Sequence, residues 1–351
     1  MIASASQLTE LLARVGSFDR IAIDTEADSL HCYHEKLCLL QLSVPENDYV
    51  VDPLGQVDLS PLASALEKKE IILHGADFDL RLLRRSLNYT AKRVFDTVIA
   101  ARILGIREFS LAALVHKYFQ VELAKGSQKA NWAQRPLPKR MLEYAVNDTH
   151  YLLPLAERLE GELERLGRLD WLRQSCERAI EQAAVERIRD PDEVWRISGS
   201  GTLRGRASAV LRELWLWREK EAEAADRPPF HILQNQELLN AAQGFAEGSK
   251  PHYRHFSARR RDAFLAAGER GMQMDESDWP VARRRFGTRR NAEMNNRVEE
   301  LKRRRDKIAG ELKLDPAFLA PRATLEAIAL DKKSADGLLV PWQRELLRLD
   351  V

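Results

Sequence analysis

Apolar residues recur at two different periods along this chain, and the change of period divides it. In residues 6–15, Leu8, Leu11, Leu12 and Val15 share one helical face, which predicts a short amphipathic helix. Short apolar runs of strand length follow at 20–26, 37–44 and 48–52. Pro45-Glu46-Asn47-Asp48, between the second and third runs, has turn composition, so a hairpin is expected there. Residues 59–67 read as helix, Glu70-Ile71-Ile72-Leu73-His74 as a fourth strand, and Asp79 to Ser86 as helix. Val94-Phe95-Asp96 is a short fifth strand that runs into a helix through Leu104. Further helices are predicted over 110–119 and, as one long element, over 138–159. Three strands in succession, then strands alternating with helices, predict an α/β domain built on a mixed sheet flanked by helices.

Charged helix continues from 160 and loosens at Asp190-Pro191-Asp192 and Ser198-Gly199-Ser200-Gly201, a linker signal. From 204 to 350 only helical periods remain. This half contains an internal repeat. A shift of 87 positions carries Leu214 onto Leu301, Arg218 onto Arg305, Ala222 onto Ala309, Pro229 onto Pro316 and Leu238 onto Leu325. A proline at a matching offset favours duplication over the chance alignment of two amphipathic helices. Three domains are expected, at 1–195, 204–288 and 292–351, and a chain cut near residue 200 is expected to keep an intact first domain.

The 351 residues carry a net charge of only +2, so no global excess names a partner. The local distribution changes the picture. Arg259-Arg260-Arg261, Arg283-Arg284-Arg285, Arg289-Arg290 and Lys302-Arg303-Arg304-Arg305 suit a polyphosphate backbone. The plainer alternative is a solvated helix face, with Glu299, Glu300 and Asp306 supplying the counter-charges. Three cysteines, Cys32, Cys38 and Cys176, give no disulfide framework and suit a reducing compartment. The spacing of His31, Cys32, His34 and Cys38 matches no zinc signature. No apolar stretch nears the roughly 20 residues that span a bilayer, and a basic-then-apolar leader is lacking. A cytoplasmic protein with no membrane partner is expected, and a monomer.

The candidate chemistry begins at the end of the first strand. Side chains two apart on a strand face one way, so Asp24 and Glu26 present two carboxylates together. Such a pair is ion-paired with a Lys or Arg, protonated, or holds a divalent metal. The fourth strand ends at His74-Gly75-Ala76, and Asp77-Phe78-Asp79 opens a helix. Asp77 suits a capping role there. Asp79, inside the first turn, is then able to face a neighbouring strand end. Tyr144 and Asp148, four apart, share one face of the predicted long helix. The structural alternatives are a salt bridge from Asp148 to Arg140 or His150, and a half-buried ring for Tyr144. Four acids on three elements are also the raw material of a two-metal site, with Tyr144 orienting or deprotonating a water.

These residues carry a resemblance. Asp24-x-Glu26, Asp79 within His-Gly-Ala-x-x-Asp-Leu, and Tyr144-x-x-x-Asp148 resemble the three exonuclease motifs of the DEDD superfamily in its tyrosine branch. Phe95-Asp96-Thr97 and Trp132-Ala133-x-Arg135-Pro136-Leu137 are similar to flanking segments of its ribonuclease D family. Leu211-Arg212-x-Leu214-x-x-Trp217-Arg218, with Pro229 and Leu238, resembles the helical HRDC domain; the second copy lacks the tryptophan. Asn131 departs from the pattern, where the family often has an acid. The resemblance implies a ribonuclease-H-like fold followed by two HRDC-type helical domains. It implies a 3′→5′ exoribonuclease acting on RNA: tRNA precursors with 3′ extensions and other structured RNAs. It assigns Asp24, Glu26, Asp79 and Asp148 to two Mg²⁺ or Mn²⁺ ions and Tyr144 to the attacking water. A DNA exonuclease and an inactive nucleic-acid-binding module are the alternatives left open.

Overall fold

The structure, a computed structural model, describes residues 1–124, 126–185, 190–280 and 292–349. Contacts divide these into two compact units. One comprises Met1–Ala27, Lys36–Glu186 and Arg290–Val351; the other comprises Asp28–Glu35 and Arg187–Arg289. Among the described residues no helix is long and apolar enough to cross a membrane.

In the first unit the strands β1 (Arg20–Ala27), β2 (Leu37–Val44), β3 (Asn47–Val51), β4 (Glu70–Leu73) and β5 (Arg93–Asp96) form one mixed sheet in the order β3-β2-β1-β4-β5. The predicted hairpin is β2–β3, antiparallel, and β1 is antiparallel to β2 but parallel to β4. Eight helices accompany the sheet: α1 (Ala5–Gly16), α2 (Ser60–Leu66), α3 (Asp77–Leu87), α4 (Thr97–Ile103), α5 (Leu111–Phe119), α6 (Lys139–His150), α7 (Leu152–Arg165) and α8 (Leu169–Ala184). Every residue of β2 is buried, because the strand is covered on both faces. Ile21, Ile23, Leu40, Leu42 and Leu159 pack on one side, and Leu39, Val50, Trp132, Met141 and Ala145 on the other. Each such side chain contributes roughly 1.5–3 kcal/mol by leaving water.

The long helix predicted over 138–159 is two helices, α6 and α7, which meet at Tyr151. Pro154 supplies the reason. It has no N–H for the carbonyl of His150, and its ring crowds that carbonyl, so the first helix stops there.

The second unit is helical: α9 (Arg206–Ala224), α10 (Pro229–Ile232), α11 (Asn235–Ala246) and α12 (Ala258–Gln273). Its core gathers Trp195, Leu214, Trp217, Phe245 and Phe264. Helix α12 crosses α9 so closely that a Cβ at Gly271 would sit 2.5 Å from the Val210 Cα.

Residues 292–349 are also helical: α13 (Ala292–Leu312), α14 (Pro316–Leu319), α15 (Arg322–Leu330), α16 (Ser334–Leu338) and α17 (Pro341–Leu346). They belong to the same unit as the sheet. Trp342 stacks on Trp171 of α8 with ring centroids 4.7 Å apart, and its indole N–H donates to Ser175 Oγ at 3.0 Å. Arg102 of α4 lies 4.3 Å from the Phe318 ring centroid and 3.6 Å from Asp315.

The repeat seen in the sequence recurs as a hydrogen bond. Buried Arg218 donates to the Leu233 carbonyl at 3.2 Å, and buried Arg305 donates to the Ala320 carbonyl at 2.9 Å. Donor and acceptor are displaced alike, by 87 positions. In each copy the guanidinium satisfies the backbone that follows a short proline-started helix, and an unpaired buried carbonyl there would be costly. Chance alignment of two amphipathic stretches does not produce that.

The basic runs look different in three dimensions. Arg259 and Arg260 both pair with Glu221, at 2.9 and 3.2 Å. Lys302, Arg304 and Arg305 pair with Glu299, Glu300 and Asp306. The counter-charges suggested by the sequence are thus in use. Arg283-Arg284-Arg285 and Arg289-Arg290 lie outside the described residues.

Candidate active site

Strand β1 delivers the first two acids. Its antiparallel register with β2 sets Asp24 opposite Gln41 and Glu26 opposite Leu39, and the register shifts between Glu26 and Ala27. Such an irregularity at a strand end splays the chain where ligands enter. Helix α6 delivers the third. It is seated on β2 through the Thr149–Ser43 hydroxyl bond of 2.7 Å and through Met141 and Ala145 in the apolar layer below. In that seat Asp148 joins the first pair. Asp24, Glu26 and Asp148 each offer an oxygen, and these oxygens lie within 4.8 Å of one another. All three are half-buried, so the cluster still meets solvent.

Asp79 sits beside this trio, outside its 4.8 Å limit. One carboxylate oxygen accepts from the Thr25 hydroxyl at 2.5 Å and from the Thr25 N–H at 3.1 Å. The middle residue of Asp24-x-Glu26 therefore ties the helix acid to the strand acids. Delivery of Asp79 depends on a second acid. Asp96, 3% exposed, accepts from the backbone N–H groups of Gly75 (3.0 Å) and Ala76 (2.8 Å), and caps α4 through Val98 (2.8 Å). Gly75 turns with φ +82, a left-handed conformation that glycine adopts without strain. The capping role expected of Asp77 is not observed: α3 has no side-chain cap, and Asp77 instead pairs with Arg81 at 2.7 Å. Asp96 has removed the need by taking the N–H groups just ahead of the helix. His74 is similarly occupied, with Nδ1 2.8 Å from the Thr97 hydroxyl.

Tyr144 points at the acids. Its hydroxyl bonds to Asp148 and to the Gln128 side chain. The buried indole of Trp132 backs its ring, with centroids 6.2 Å apart. Arg135 anchors that segment through a two-pronged bond to Asp52, at 2.6 and 2.7 Å. The salt bridge from Asp148 to His150 weighed from sequence does not form, because His150 pairs with Asp48 at 2.7 Å. Gln128 and Thr25 carried no sequence signal of their own; Asp96 did, in the segment Phe95-Asp96-Thr97.

The electrostatics show a site short of positive charge. Burial, and then the charges of Asp148 and Asp79, push the Glu26 carboxyl up to about 9. Burial raises Asp148 to about 7 against the Tyr144 hydrogen bond, and raises Asp79 to about 6 against the Thr25 bonds. Asp24 is raised well above the usual carboxylate range by burial, then by Asp79, Asp148 and Glu26. Tyr144 is also raised, by burial and then by Asp148, so its phenol stays a donor at neutral pH. Four carboxylates so placed lack a counter-cation, and hard carboxylate oxygens are the donors that Mg²⁺ and Mn²⁺ take.

A pH prediction follows with a definite sign. These carboxyls hold protons more tightly folded than unfolded, where they titrate near about 4. Their contribution to stability is present below that value and is lost as pH rises through the folded values of about 6, 7 and 9. The chelator-treated protein should melt several degrees lower at pH 9 than at pH 5, and added Mg²⁺ or Mn²⁺ should raise the melting temperature more at pH 9. Calorimetry across that interval checks it; a melting temperature that climbs from pH 5 to 9 without metal contradicts it.

Comparison with known proteins agrees with this geometry. Residues 1–164 match the family described as 3′-5′ exonuclease, and residues 207–245 match the HRDC domain. The chain belongs to the 3′-5′ exonucleases, with an HRDC domain behind the nuclease fold. Its curated relatives within that class are ribonucleases D. Ribonuclease D of Sphingobium indicum is 32% identical over 247 residues, 69% of this chain and 63% of that protein. The alignment thus spans less than two thirds of that relative. Ribonuclease D of Nitrobacter hamburgensis aligns over 99% of this chain and 92% of its own length at 26% identity. The crystal structure of Escherichia coli RNase D superposes with a TM-score of 0.74, covering 99% of this chain and 98% of that one at 24% identity, a likeness of fold.

Proposed function

We propose that this chain is a metal-dependent 3′→5′ exoribonuclease that releases nucleoside 5′-monophosphates from the 3′ ends of tRNA precursors and other structured RNAs, as a cytoplasmic monomer. The observation that carries the proposal is the trio of oxygens from Asp24, Glu26 and Asp148 within 4.8 Å of one another, with Asp79 beside it. Residues 1–195 act as the nuclease, with 204–288 and 292–351 as two HRDC-type domains that hold the RNA body.

Asp24, Glu26, Asp79 and Asp148 hold two divalent ions, which when bound supply an activated water and stabilise the leaving oxygen. Ion binding displaces the protons that these carboxyls retain in the metal-free state, so affinity rises with pH. Tyr144 acts as a donor that orients the water. Its raised pKa speaks against proton abstraction by the phenol. The Thr25 bonds keep the Asp79 carboxylate turned to the strand acids.

The test is digestion of a tRNA with a 3′ extension, and of a DNA of matched sequence, with Mg²⁺ and then with a chelator. Mononucleotides released from RNA alone, and only with metal, support the proposal. Equal release from DNA removes the RNA assignment, which rests on contact with the 2′-hydroxyl. No release leaves a binding module. Tyr144→Phe, which deletes one hydroxyl and keeps the ring on Trp132, should lower kcat by about a hundredfold, in the range of a lost preorganised donor. KM and the melting temperature should stay near those of the parent, and near-normal kcat would take Tyr144 out of the reaction.

A further inference from the structure

Gln41 is fully buried, and neither its side-chain oxygen nor its side-chain nitrogen has a hydrogen-bond partner among the described residues. An amide stripped of water and left unpaired is expensive, and native proteins rarely keep one without a use. Its location supplies the use. Gln41 is the cross-strand partner of Asp24, and residues directly opposite in an antiparallel pair share a face, with Cβ atoms about 4.5–5.5 Å apart. The same face carries Leu39, opposite Glu26, and Ser43. Helix α6 covers that face. Leu39 packs in one layer with Met141 and Ala145, and Ser43 bonds Thr149. Gln41 lies between those two contacts, on the face that Asp24 and Glu26 share and beneath the stretch of α6 that ends in Asp148. The other polar residues around it are engaged: Ser43 donates to Asp48 at 2.6 Å, and Thr149 is bonded to Ser43.

We infer that Gln41 is a positioning residue for the carboxylate cluster, its amide donating to a carboxylate of the Asp24–Asp148 pair once these acids are ionised around divalent cations. The inference rests on the metal reading given above. With the carboxyls protonated, the NH₂ group meets neutral acids that are weak acceptors. When cations displace those protons, the carboxylates become strong acceptors, and a fixed donor behind them sets which oxygens face the ions. An orphaned amide in the metal-free state is then the cost of a donor reserved for the loaded state. Outer partners of this kind typically alter metal affinity 10–100-fold.

The test is Gln41→Met, which removes the amide at similar volume. Mn²⁺ and Mg²⁺ titrations of the chelator-stripped full chain, followed by calorimetry, give metal affinity without reference to turnover. Melting of the metal-free form reports on the fold. The expected result is a dissociation constant raised about tenfold or more, with a metal-free melting temperature equal to or above that of the parent. A binding isotherm that coincides with the parent's overturns the inference. A lower metal-free melting temperature also overturns it, since the amide would then be paired already. If the parent chain itself takes up neither cation, the metal reading has failed, and this inference with it. Gln41→Leu, which also lacks the amide, should repeat the affinity loss, and a parent-like isotherm in that variant overturns the inference equally.

Discussion

Asp148→Asn should abolish hydrolysis while leaving the metal-free protein at least as stable as its parent. The two halves of this result have one cause. Asp148 shares a 4.8 Å cluster with Asp24 and Glu26, and its charge is the first-ranked neighbour that holds the Glu26 proton on. An asparagine keeps the shape and can still accept from Tyr144, but it removes one negative charge. Repulsion falls, so the metal-free fold gains or is unchanged. The same deletion leaves the cations one anionic ligand short, and the rate should drop by roughly a hundredfold to a thousandfold or more, the scale of a lost electrostatic contact in a buried site. Single-turnover assays at saturating Mg²⁺, paired with calorimetry in chelator, separate the halves. Turnover within tenfold of the parent would show that Asp148 is no ligand. A melting temperature several degrees lower would show that the carboxyl is structural.

The second large effect lies far from the chemistry. Trp342→Ala should cost about 3–5 kcal/mol, measured by denaturation of the full chain. Trp342 is 1% exposed, stacks on Trp171 at 4.7 Å, and donates to Ser175 from its ring while its backbone N–H donates to Gln174 at 2.9 Å. Its loss opens a cavity between α17 and α8 and leaves the hydroxyl of Ser175 and the face of Trp171 without a partner. Trp342→Phe keeps a ring on Trp171 and loses one hydrogen bond, so it should cost nearer 1 kcal/mol. If the alanine variant loses less than about 1 kcal/mol, the helices after 292 are only laid against α8. The prediction also bears on truncation. Composition near residue 200 suggests a clean cut, but a chain ending there would expose Trp171 and the Arg102 side chain that now packs on Phe318. Such a fragment should be less stable than the nuclease fold within the whole chain.

Both predictions show where reading the chain in one dimension works. Asp24 and Glu26 two apart on a strand, and Tyr144 and Asp148 four apart on a helix, are fixed by the periods of strand and helix. So is the mixed sheet, because its apolar runs and turns are local signals. The 87-residue repeat is legible because Arg218 and Arg305 answer the same need of the backbone after a short helix. The single helix expected over 138–159 was a local misreading, with Pro154 in plain view.

What the order of residues could not state is which side chain answers which. Asp77 and Asp96 are both acids near a helix start. The one 19 positions later takes the Gly75 and Ala76 N–H groups, because β5 lies beside β4. The runs at 259–261 and 302–305 read as free positive charge until Glu221, Glu299, Glu300 and Asp306 are seen to meet them. Gln41 looks like any polar residue in an apolar strand until the register sets it against Asp24 with nothing to bond. The amino-acid order by itself therefore determined the elements, the repeat and the roster of acids, since each depends on spacing within one helix or strand. Only the tertiary structure decided which acids lie together, which are tied to Thr25 or Tyr144, and which helices share a core with the sheet. Those choices depend on the pairing of elements far apart in the chain, and local periodicity carries no record of it.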